Sequence, residues 1–142
     1  MDTKRLVIGT IVGGITLRLV GYLIVERAFA GFYAANVGSA TGAFRDPGLQ
    51  WAYALSGLSF AALVTLGIAS RAGAPTIAGG FTTGAVIGFL VWFGVDFGLY
   101  GYANLFNLTA TIVDPLIETV HFGIAGAVIA VVLARIPKGA AA

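Results

Sequence analysis

Asp46-Pro47-Gly48-Leu49-Gln50-Trp51-Ala52-Tyr53 is answered, 68 residues on (114 − 46), by Asp114-Pro115-Leu116-Ile117-Glu118-Thr119-Val120-His121. In each copy Asp-Pro opens a long apolar segment, and polar groups follow four and seven residues later. They are Gln50 and Tyr53 in the first copy, Glu118 and His121 in the second. The correspondence extends upstream. Glu26, Gly31, Ala35-Asn36 and Thr41 match Asp96, Gly101, Ala103-Asn104 and Thr109 with one small gap, and Gly14 matches Gly84. Each unit reads as helix, loop, helix, which returns the chain to its starting side. Two such units, about residues 5–71 and 75–136, form parallel hairpin repeats related by an axis along the membrane normal. The competing reading is chance similarity in a chain with 21 glycines.

Composition decides the class. Charged residues make up 10% of the 142-residue chain and mean hydropathy is +0.96, whereas a soluble domain carries about 25% charged residues. Four segments reach the roughly 20 apolar residues needed to span a bilayer: Arg5–Glu26, Leu49–Ser70, Thr76–Tyr100 and Pro115–Ala134. The expectation is an all-α polytopic membrane protein, a four-transmembrane-helix bundle forming one domain over residues 1–142. Residues 1–30 imitate a signal peptide, but Arg18 interrupts their apolar run, so they read as the first span. Lys4, Arg5, Arg71, Arg135 and Lys138 fall on one side. Arg27 and Arg45 fall on the other, each beside an acid. This bias puts both termini in the cytoplasm of a bacterial inner membrane. The chain has no cysteine, which excludes disulfides, thiolate metal sites and cysteine nucleophiles. No basic patch supports nucleic-acid binding.

The ionisable residues inside the spans mark the candidate site, because a charge in lipid is costly and needs a partner or a function. Asp114, Glu118 and His121 fall within about 60° of one another around the fourth helix. Glu118 and His121 form a Glu-x-x-His pair, the spacing of carboxylate-bridged metal sites in helical bundles. A divalent metal held by Glu118, His121 and Asp114 is therefore one expectation. Arg18, Tyr22 and Glu26 face one way on the first helix, as do Trp92, Asp96 and Tyr100 on the third. If Asp114 caps the fourth helix, Glu118 lies about 6 Å and His121 about 10 Å below its outer end. The polar groups then gather in the outer leaflet half. The candidate ligand-binding set is Arg18, Tyr22, Asp96, Tyr100, Asp114, Glu118 and His121.

Plainer readings stand beside these. Asp46 and Asp114 read as helix N-caps. Trp51, Trp92, Tyr100 and Tyr102 read as an interfacial aromatic belt. Arg18 reads as an ion-pair partner of Asp96 or Glu118, and His121 as a satisfied core histidine. Gly80, Gly84 and Gly88 permit close helix approach, either inside the bundle or in a homo-oligomer or larger membrane complex. The loop over residues 27–48 is long enough to fold back over the outer face. No span contains a lysine for a retinal-type Schiff base.

Asp96, Asn104 and the run Thr111-Ile112-Val113-Asp114, with Phe32-Tyr33 after the first span, resemble a family of small bacterial inner-membrane proteins with four predicted helices. The resemblance covers about a third of the chain. It implies fold and location, and no activity. The residues themselves leave three functional readings. One is a membrane protein whose outer acidic cavity binds or transports a small cation or proton-coupled solute. The others are an assembly subunit of a larger complex and a metal-dependent membrane enzyme.

Overall fold

The structure of the protein, a computed structural model, describes residues 2–137; Lys138 lies outside them. Five α-helices follow one another: α1 Thr3–Gly21, α2 Ala30–Ala35, α3 Gln50–Ala69, α4 Ile77–Tyr102 and α5 Leu108–Arg135. A π-helical segment, Tyr22–Ala28, continues α1. Among the described residues four helices are long and apolar enough to cross a membrane: Thr3–Ala28, Gln50–Ala69, Ile77–Tyr102 and Leu108–Arg135. The protein is an all-helical multi-pass bundle, and no strand is present among the described residues.

Short polar side chains start three of these helices. Asp2 accepts from the Lys4 amide at 2.9 Å, Thr76 from Gly79 at 3.0 Å and Asn107 from Ala110 at 3.0 Å. Neither Asp-Pro pair has the capping role expected of it. α3 begins after Leu49 with no side-chain cap, and Asp46 lies in the preceding loop. α5 begins seven residues before Pro115, so Asp114 and Pro115 sit inside it. The earlier start reflects a real cap, Asn107, whose carbonyl also accepts from Thr111 Oγ1 at 3.0 Å. Glu118 therefore lies about 15 Å, not 6 Å, along its helix from the first turn. Pro115 has no N–H to give to the Thr111 carbonyl one turn back.

α4 packs along most of α5, and α1 packs against both α3 and α5. Glycine makes the first seam. A methyl group on Gly84 would lie 2.1 Å from the Phe122 carbonyl oxygen, and one on Gly80 2.3 Å from that of Gly126. Backbone thus meets backbone, as close-packed helices in lipid require. The Gly80-Gly84-Gly88 ridge is consumed inside the bundle and is not free for an oligomer. Leu17, Ala61, Val64, Phe122, Ala125, Ile129 and Leu133 fill the centre. Arg5, 6% exposed, donates from its guanidinium to the Ile136 carbonyl just past the end of α5, where a cation complements the helix dipole.

At the opposite end the two long connections bind each other. The amides of Gly38 and Ala40 donate to the carbonyls of Leu105 and Asn104 at 2.8 and 2.9 Å, and Asn107 N donates to the Asn36 carbonyl at 3.0 Å. The 27–48 connection does fold back over the bundle. Gly38 is required there, since a Cβ would lie 2.2 Å from the Asn104 carbonyl oxygen.

The seam makes a test. Gly84→Val, which forces apart α4 and α5, should cost about 2 kcal/mol or more by overpacking and lower the unfolding temperature in detergent. Gly94→Ala should not, because nothing lies within 4 Å of that position. Equal melting of the two variants would contradict the packing described.

Candidate functional site

Two cavities lie toward the long-loop end, and they share a wall. The first, about 370 Å³, is bounded by α4, α5, the π segment, α2 and the loop before α5. Its polar groups come from Tyr33, Trp92, Asp96, Tyr100, Asp114 and Glu118, and its other walls are mainly aliphatic or aromatic. The second, about 230 Å³, lies toward α1 and α3 and is lined by Arg18, Glu26, Tyr53, Ser56 and His121, among others. Trp92 and Glu118 belong to both.

Glu118 and His121 are one turn apart on α5, 5% and 8% exposed. His121 Nδ1 is 2.8 Å from Glu118 Oε2, and His121 Nε2 is 2.8 Å from the Leu17 carbonyl oxygen on α1. A carbonyl only accepts, so Nε2 carries a hydrogen. The Nδ1–Oε2 contact then holds one further proton, either as imidazolium and carboxylate or as neutral imidazole and carboxylic acid. Without that proton two acceptors would face each other. Gly21 admits the ring, since a Cβ there would lie 2.9 Å from His121 Cε1. Immediately beyond Gly21 the α-helix gives way to the π segment, a transition that recurs at functional sites.

On the other side of Glu118 three groups form a chain. Tyr33 donates its hydroxyl to Asp114 Oδ1, and Asp96 approaches Asp114 from α4 in the same cavity. Asp96 Oδ2 is buried with no donor group facing it. Its neighbour is another acid, so a proton between the two carboxyls satisfies both. An aromatic cluster holds Tyr33 over the cavity: Phe32 at 5.4 Å, Phe106 at 6.3 Å, and Phe44 behind Phe106 at 5.7 Å between centroids. Burial first, then the hydrogen bond and charge of Asp114, hold the Tyr33 hydroxyl protonated well above the usual phenol range.

Of the seven residues expected at the site, Asp96, Tyr100, Asp114 and Glu118 meet in the first cavity, while Arg18 and His121 meet in the second. Tyr22 lines neither. Its hydroxyl accepts from Arg27 Nε at 2.7 Å, and Arg27 sits over its ring at 4.9 Å. Arg18 does not pair with Asp96 or Glu118. It meets Glu26 at 3.0 Å, two turns along its own span, with the Tyr53 ring 6.0 Å away. The metal trio is not formed. Among the described residues no group of three His, Asp or Glu side chains is arranged to hold an ion. Both imidazole nitrogens of His121 are already committed, and Glu118 is one of their partners.

Sequence reasoning missed Tyr33 as a site residue and left Trp92 either on one face with Asp96 and Tyr100 or in the interfacial belt. Trp92 turns inward, packs against Phe60 at 6.0 Å, and has a buried Nε1 with no acceptor. Its four-residue spacing to Asp96 was the available signal. The Leu17 carbonyl had none, because any residue supplies a carbonyl. No family model, curated protein or solved structure matches the chain.

Tyr33 gives a pH test. The unfolded phenol ionises near pH 10 and the folded one only higher. Stability should therefore fall as pH rises past about 10, because the unfolded chain loses its proton first. Tyr33→Phe should make that fall shallower in unfolding scans between pH 8 and 11. An identical fall would place Tyr33 in water.

Proposed function

We propose that the protein binds a small organic cation in the first cavity, as a multi-pass protein of the bacterial inner membrane with both termini cytoplasmic and the cavity on the outer side. What carries the reading is that three carboxyl side chains, Asp96, Asp114 and Glu118, converge on one cavity whose remaining walls are mainly aliphatic or aromatic, with no basic residue in its lining among the described residues. A buried acid cluster attracts positive charge, and apolar walls favour a ligand with hydrocarbon around that charge. Tyr33, Trp92, Tyr100 and Phe106 add aromatic faces, which attract alkylammonium groups. Arg18 does not neutralise the site, since Glu26 holds it elsewhere.

The shared protons set the charge. One proton between Asp96 and Asp114 and one between Glu118 and His121 leave a single net negative charge, which draws a monovalent cation in. A cation and protons therefore compete for the same oxygens.

Tetraethylammonium binding to the protein in lipid nanodiscs tests this. Saturable binding is expected, weakened at least tenfold, about 1.4 kcal/mol, by Asp114→Asn. Arg71→Gln, at the other end of the bundle, should leave it unchanged. Absence of saturable binding, or equal binding by Asp114→Asn, contradicts the reading.

A further inference from the structure

Among the described residues Glu118 is the only acid that lines both cavities. Its partner His121 lines the second cavity and not the first. The side chain that would meet a ligand on one side thus shares a proton with a group that faces the other side. We propose that Glu118 and His121 couple cation binding in the first cavity to release of one proton through the second. This rests on the cation reading above and adds to it a stoichiometry and a separate route for the proton.

The geometry sets the order of events. At rest, Nε2 lies against the Leu17 carbonyl and Nδ1 against Oε2, with the second proton held between Nδ1 and Oε2. A cation entering the first cavity draws the Glu118 carboxylate toward itself. With the carboxyl drawn away, the pair no longer holds its shared proton, which passes to water in the second cavity. The imidazole that remains is neutral and still donates Nε2–H to Leu17. One positive charge enters, one leaves, and the buried pair ends with the carboxylate facing the cation. Leu17 fixes the ring so that only Nδ1 can exchange. His121 is a positioning and proton-holding residue, because it does not line the ligand cavity.

Other groups around the pair bear on its titration. Arg18 and Glu26 face it from α1 and its π extension, and Tyr53 from α3. Asp96 and Tyr100 face it from α4, Asp114 from α5 and Tyr33 from α2. Arg18 and Glu26 are paired with each other, and Asp96, Asp114 and Tyr33 form their own chain. The carboxyl pair holds a second proton, so the experiment must separate the two.

Calorimetry of tetraethylammonium binding, in buffers of different ionisation enthalpy, counts the protons released. The wild type should release about one proton more than Glu118→Gln or His121→Gln. Asp96→Asn should retain the proton that those two variants lose. Wild-type affinity should rise about tenfold per pH unit for each proton displaced, which tests the coupling without any variant. Binding with equal proton counts in wild type and His121→Gln overturns the coupling and leaves the cation reading intact. No saturable binding overturns both.

Discussion

A single buried imidazole joins the backbone of α1 to a carboxyl group on α5, and the arrangement of the site depends on it. His121 reaches the Leu17 carbonyl through Nε2 and Glu118 through Nδ1, both at 2.8 Å. In a low-dielectric interior such a pair is strong when satisfied and costly when broken. The contact orients Glu118 between two cavities, sets the approach of α1 at Gly21, and leaves no ring nitrogen for a metal. That last consequence turns a sequence pattern associated with metal sites into a proton-holding pair.

The glycine seam supplies the rigid frame in which this pair operates. With Gly80, Gly84 and Gly88 against the backbone of α5, α4 and α5 approach closely over these two turns. Toward the long-loop end larger groups intervene, and the first cavity opens between the same helices. Trp92, Asp96 and Tyr100 line it from α4, and Thr111, Asp114 and Glu118 from α5. The paired loops and α2 close over it and bring Tyr33 to Asp114. A close seam at one end and a cavity at the other follow from where α4 carries glycines that meet α5 and where it carries polar and aromatic residues.

The four spans were legible in the sequence because about 20 apolar residues in a row have no other stable fate. The grouping of Asp96, Asp114 and Glu118 followed from the cost of burying acids, and their spacing on the helices placed them. Helix starts were less legible. Asp-Pro is a strong local signal, yet Asn107 won at α5 because its side chain and carbonyl together satisfy the first-turn donors. Arg18 was misassigned because periodicity on one helix says nothing of how far a partner lies on another, and Glu26 reaches it within the same span. Tyr33 escaped notice because α2 has six residues, too few for any periodic pattern, and its position depends on contacts with Phe106 far along the chain. The expected duplication places Asp46 and Asp114 in equivalent positions, but they have different local settings, one in a loop and one inside a helix.

The chain has one histidine, so its imidazole can be observed without assignment. Nitrogen-15 NMR of the labelled protein in lipid tests the central contact most directly. The account requires Nε2 to remain protonated from acid to neutral pH, while Nδ1 reports a proton shared with Glu118 that is lost from the spectrum in Glu118→Gln. A ring that titrates as a free imidazole, exchanges between tautomers, or gives the same spectrum in Glu118→Gln would contradict it.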